Sequence, residues 1–111
     1  MKKIVFTLLA ISVFFLGTAE ARVYKGQKTY VKKCRKCHAG GQELAASKKK
    51  KAWKKIMKKK GEGLADIHLE SKKAKKSWKY FNSKKYKKYS KHLKDFLVEY
   101  AKDSGNVPAC N

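Results

Sequence analysis

Cys34-Arg35-Lys36-Cys37-His38 is the stretch of this chain whose residue types and spacing point most directly to chemistry. Two cysteines three positions apart lie about one helical turn from each other, so both thiols face one side and the histidine follows beneath them. That is the spacing at which a c-type haem is attached covalently: the thiols reach vinyl groups on adjacent pyrroles, and His38 falls under the iron. Other chemistries use part of the same pattern. A zinc knuckle wants two more ligands at similar spacing, and a thioredoxin-like dithiol wants a βαβ context with no following histidine. The sequence offers neither.

The residues ahead of the motif read as an export signal. Lys2 and Lys3 form a positive n-region, 4–16 is an apolar h-region interrupted only by Thr7 and Ser12, and Ala19-Glu20-Ala21 is a small-x-small cleavage site. Cleavage after Ala21 is expected, leaving one domain over 22–111. The h-region is too short for a permanent span, which takes roughly 20 apolar residues. Export to the bacterial periplasm suits the motif, because c-type haem is attached outside the cytoplasm.

Charge and size bound what such a domain can be. The 111-residue chain has a formal net charge of +22, almost all of it from lysine. A small domain with that self-repulsion buries too little apolar surface to fold comfortably alone, and a large apolar cofactor would supply the missing core.

The apolar periodicity is helical throughout, and no strand signal, internal repeat or domain boundary stands out. Val23, Gln27, Tyr30, Val31 and Cys34 are expected on one face of a first helix, with Lys25, Lys28, Lys32 and Lys33 turned to solvent. Gly40-Gly41 breaks it. A lysine-rich segment from 42 to 60 follows, with a sparse stripe of Leu44, Ala45, Ala52, Trp53, Ile56 and Met57, closed by Gly61 and Gly63. A short helix is expected around 64–69, then an aromatic cluster of Trp78, Tyr80 and Phe81. The last helix is expected from about 90 to 102, with Leu93, Phe96, Leu97, Tyr100 and Ala101 as its stripe and Ser104-Gly105-Asn106 as its stop.

With Gly26 four residues before Tyr30 and eight before Cys34, the haem motif, and an aromatic-rich last helix, the chain resembles a small monohaem class I cytochrome c. The resemblance implies an all-α fold whose N- and C-terminal helices cross around one covalent haem c. It implies that Gly26 and Tyr30 meet the face made by Leu93, Phe96, Leu97 and Tyr100. In that family a methionine ligand lies shortly before the last helix, and here none does. The sixth iron ligand is therefore sought elsewhere. His68, flanked by apolar residues in a lysine-rich segment, is the expected ligand, and Met57 is the alternative because a thioether raises the potential. Met57 also reads as core, at helical spacing from Trp53 and Ile56. His92 reads as half-exposed beside Phe96, and Cys110, a lysine or an open site complete the candidates.

The expected function is a periplasmic one-electron carrier rather than an enzyme, since no catalytic acid, base or nucleophile stands out. The alternative is a haem sensor or small haem enzyme with an exchangeable distal site. The lysine runs suit acidic redox partner proteins or an anionic membrane surface, through contacts that weaken with salt. Nucleic acid is disfavoured by export and by the rarity of arginine, whose bidentate fork reads bases.

Overall fold

A glycine sets how closely the first and last helices approach. The structure, a computed structural model, describes residues 18–108. The expected signal segment up to position 17, and Cys110, lie outside the described residues. Among them the fold is all-α, with no strand: α1 (Thr18–Lys33), α2 (Gly41–Ala45), α3 (Lys50–Ile56), α4 (Lys58–Leu69), a 3-10 turn (Lys72–Ser77), α5 (Trp78–Phe81) and α6 (Lys84–Glu99). α1 crosses α6 at Gly26, where an added Cβ would stand 2.0 Å from the His92 carbonyl oxygen and 2.8 Å from Phe96 Cβ. Tyr30, one turn later, is fully buried with its ring centroid 5.8 Å from that of Phe96. The crossing implied by the resemblance is thus present, with His92 added to the contact. Leu93, Phe96 and Leu97 are buried beneath it, and Arg22 Nε stands 3.6 Å from Asp95 Oδ2 beside it.

Two sequence expectations change at these helices. Val31 is 40% exposed rather than on the buried face. The buried line runs through Val23, Gly26 and Tyr30, and Val31 lies about 100° further round the helix than Tyr30. α6 starts at Lys84, well before 90, because the Ser83 side chain accepts from the Tyr86 amide at 3.1 Å and caps the helix. Tyr86 and Ser90 are buried in line with Leu93 and Leu97, so the Lys/Tyr-rich stretch carries a core face that its composition hides.

The middle segment is shorter-stepped than the sequence suggests. What reads as one lysine-rich stretch is split into α2 and α3, tied together by Trp53 Nε1 donating to the Ala45 carbonyl at 2.8 Å. The first amide of α3, on Lys50, donates to Asp103 Oδ1 at 2.8 Å, so a carboxylate from beyond α6 covers that helix end. Within α4 the backbone turns left-handed at Lys59, Lys60 and Gly61, with φ of 52°, 59° and 76°. Each lysine held there costs about 1–2 kcal/mol. Close packing sets the break: a Cβ on Gly61 would lie 2.2 Å from Tyr86 Oη, and that hydroxyl donates to the Gly61 carbonyl at 2.7 Å. The helix proper then runs on to Leu69, carrying His68 against α5. Among the described residues no helix is long and apolar enough to cross a membrane.

Candidate functional site

The motif lies just past the end of α1, in a hydrogen-bonded turn that closes the helix. Cys34 N donates to Tyr30 O at 2.9 Å, Arg35 N to the same oxygen at 3.1 Å, and Cys37 N and His38 N donate to Cys34 O at 3.1 and 2.9 Å. The two thiols and His38 accordingly stay within about one turn. The Tyr30 hydroxyl donates to the Ala39 carbonyl and ties down the exit from this turn. Cys34 is half-buried and Cys37 exposed. Burial, and secondarily the neighbouring Cys37, pushes the Cys34 thiol up to about 12. Such a thiol is protonated at neutral pH and is a poor nucleophile.

The facing wall is built from α4 and α5. His68 Nδ1 lies 2.8 Å from the Leu64 carbonyl one turn back. A carbonyl can only accept, so Nδ1 carries a proton there and Nε2 is the nitrogen left to ligate, the arrangement common to metal-binding imidazoles. Phe81 stacks on the His68 ring at 4.3 Å and 25°. Trp78 Nε1 donates to the His68 carbonyl at 2.8 Å and to the Ser71 carbonyl at 3.2 Å, holding the end of α4 in place. The His38 and His68 ring centroids are 5.9 Å apart, with the planes inclined at 75°.

Between these walls lies a cleft of about 320 Å³ lined by Cys34, Cys37, His38, Ile67, His68 and Phe81 among others. A second cavity of about 220 Å³ shares Cys34, His38, Ile67, His68 and Phe81 with it and runs inward to Trp53, Leu93 and Leu97. Protein interiors rarely leave spaces larger than a water molecule, and an apolar cavity of this size with a few convergent polar groups is the form of a ligand site. The donor set fits a planar tetrapyrrole. Two imidazoles ligating one metal from opposite sides have centroids about 6 Å apart, from two metal–nitrogen bonds of about 2 Å and about 1 Å from each nitrogen to its ring centre. Among the described residues no three His, Cys, Asp or Glu side chains gather at one point; the donors stand around the cleft instead.

Of the candidates for the sixth ligand, only His68 shares the cleft with His38, apart from lysines at its rim such as Lys33 and Lys73. Met57 is 3% exposed and packs in the core with Trp53 and Ala65. His92 is buried, not half-exposed, because α1 crosses over it at Gly26, and it lines a different cleft between α1 and α6. The roles of Phe81 and Trp78 in setting His68 were not legible beforehand, although the aromatic cluster was. Its signal was the dense placement of large rings in a segment otherwise made of lysine. Comparisons with protein-family models, with curated proteins and with solved structures give no match.

Proposed function

We propose that this chain is an exported monohaem c-type cytochrome that carries one electron at a time between redox partners. The observation that carries the reading is the placing of His38 and His68 across one apolar cleft, 5.9 Å between centroids, with both thiols of Cys34 and Cys37 on its wall. Bound haem c supplies a one-electron ferric/ferrous couple whose potential follows its axial ligands. Cys34 and Cys37 would tether it through thioether bonds, and His38 would be the proximal ligand. His68 would be the distal one, oriented by Leu64 and kept in its plane by Phe81. Tyr30, Leu93 and Leu97 exclude water from the inner cavity. No side chain is required to move a proton, so the reading assigns no enzyme activity.

Export and cleavage after Ala21 belong to the same proposal. α1 runs through that position, and a mature chain beginning at Arg22 retains Gly26, Tyr30 and the Arg22–Asp95 pair. The lysine-rich surface would dock acidic redox proteins transiently at low ionic strength or rest on an anionic membrane surface.

The test is an absorption spectrum of the ferric and ferrous protein, with and without carbon monoxide, together with the redox midpoint. The proposal requires haem that stays with the polypeptide on a denaturing gel, a low-spin spectrum without the sulfur-ligation band, and no carbon monoxide adduct. Haem that extracts into acidic organic solvent would overturn covalent attachment. A ready carbon monoxide adduct of the unaltered protein would favour the sensor or small-enzyme alternative.

A further inference from the structure

His92 lines a cleft of its own, apart from the one that holds His38 and His68. This cleft has a volume of about 400 Å³, lies between α1 and α6, and shares only Lys33 with the Cys34 cleft. Lys25, Lys28, Lys32 and Lys33 line it from α1, and Lys85 from α6; the Lys33 ammonium lies over the Tyr80 ring in the cleft, and that of Lys28 over the Tyr24 ring beside it. These positions recur at i, i+3, i+7 and i+8 on α1, while Lys85, Tyr89 and His92 follow i, i+4, i+7 on α6, so the two helices turn matching polar faces toward one groove. Among the described residues that line it there is no carboxylate. Like charges on these side chains repel one another, and a multiply charged anion between them would add attractive terms that offset that repulsion.

Charge alone does not distinguish this place on so basic a surface. A second groove, on α3, is lined by Lys49, Lys51, Lys54, Lys55 and Lys58 with Ala52. The α1–α6 cleft differs in two respects. It includes neutral donors, the hydroxyls of Thr29, Tyr80 and Tyr89. It also includes His92, 8% exposed, whose Nδ1 is buried without a hydrogen-bond partner. Unpartnered buried nitrogens are rare in folded proteins and call for an explanation. The His92 ring, stacked on Tyr89 at 5.8 Å, forms part of the cleft wall, so an anion held by the lysines would lie beside it.

We infer that the α1–α6 cleft is a binding site for a phosphoryl anion carrying at least two negative charges, either a free phosphorylated molecule or a phosphate-bearing lipid headgroup. Lysine suits such a ligand as a mobile point charge, and the phosphoryl oxygens offer enough acceptors for several ammonium groups and a hydroxyl together. The site is independent of haem ligation, since it contains none of Cys34, Cys37, His38 or His68.

The experiment titrates the full chain with sodium pyrophosphate by calorimetry while NMR follows the His92 ring protons. In parallel, the chain is co-sedimented with phosphatidylcholine vesicles with and without phosphatidic acid. Burial and then Lys25 hold the His92 pKa below its ordinary value, with Lys91 and Arg22 acting in the same direction and Asp95 opposing; a bound anion is expected to move it upward. Lys25→Gln/Lys32→Gln/Lys85→Gln is expected to weaken binding about tenfold or more. Lys51→Gln/Lys54→Gln/Lys58→Gln removes the same charge from the α3 groove and is expected to weaken it less than about twofold. All six lysines are exposed, or at the surface of their helices, so both variants should keep the fold, which circular dichroism checks. Pyrophosphate that binds and displaces the vesicles assigns a free phosphoryl ligand as sufficient; binding to phosphatidic acid vesicles alone, lost in the first variant only, assigns the headgroup. Equal losses in the two variants, a His92 signal that does not respond to either ligand, or polyglutamate binding as tightly as pyrophosphate would overturn the inference.

Discussion

The α1–α6 crossing and the wall formed by α4 and α5 both shape the candidate haem cleft, yet they are held by different physics. The crossing is steric. Gly26 brings two 16-residue helices into contact, and Tyr30, Leu93, Phe96 and Leu97 bury nearly all their surface there. The second wall is short, partly left-handed and pinned by donors reaching backbone carbonyls: Trp78 to His68 and Ser71, Tyr86 to Gly61, His68 to Leu64. Apolar burial is worth about 1.5–3 kcal/mol per large side chain, whereas a hydrogen bond nets about 1 kcal/mol. The crossing therefore sets the fold, and the wall sets the position of one imidazole at modest energetic expense.

The largest expected effect breaks the link between the two regions. Cys34→Ala with Cys37→Ala should abolish covalent haem altogether, read by haem staining of a denaturing gel, and should leave a largely unstructured chain by circular dichroism. A cooperatively melting, strongly helical double variant would mean that the crossing suffices without the cofactor. Next, Gly26→Ala forces a methyl group against the His92 carbonyl and should destabilise by about 1–3 kcal/mol or more, as overpacking does, measured by denaturant unfolding.

His68→Ala should leave global stability less affected than Gly26→Ala while opening ferrous iron to carbon monoxide. Met57→Leu, in contrast, should cost about 1 kcal/mol of packing and leave the haem spectrum unaltered. If Met57→Leu changes the spectrum and His68→Ala does not, the ligand assignment reverses. Trp78→Phe keeps a ring but removes the donor to His68 and Ser71, and about 1 kcal/mol of stability is expected to go with it. The sharper readout is a broadened His68 signal with α1 amides unchanged.

The smallest effect tests the carboxylate that covers the start of α3. The Lys50 amide holds the Asp103 carboxyl below its ordinary pKa. The stabilisation from Asp103 is therefore present above the pKa of the unfolded chain and is lost as pH falls through the depressed folded value. Asp103→Asn should flatten that acid limb of a stability-against-pH curve, with a small loss of stability at neutral pH that vanishes once the pH falls below the folded value.

How much of this was legible beforehand follows from the range over which each interaction acts. Cys34, Cys37 and His38 are neighbours in sequence, and hydrogen bonds to Tyr30 and Cys34 hold them within about one turn; their grouping needed no tertiary information. The packing of Gly26 and Tyr30 against the last helix was legible only through the resemblance to small cytochromes c, which implies it; spacing alone does not say which face meets α6. The early start of α6 was hidden, because Tyr86 and Ser90 are core residues whose neighbours are nearly all lysine. The exposure of Val31 was hidden too, because hydropathy does not say on which side of Tyr30 the partner helix lies.

By itself, then, the sequence determined the helical class, the local donor motif and an excess of positive charge, each a property of residues within a few positions of one another. Tertiary structure decided which distant side chain faces His38. His68 is set by the left-handed break at Lys59–Gly61, by Phe81 and by Trp78, while Met57 is drawn into the core beside Trp53. It also buried His92 under α1 and made a cleft of lysines that read as a solvated face. These outcomes depend on contacts between segments far apart in the chain, where a single close approach such as Gly26 on α6 selects among arrangements that local spacing leaves equal.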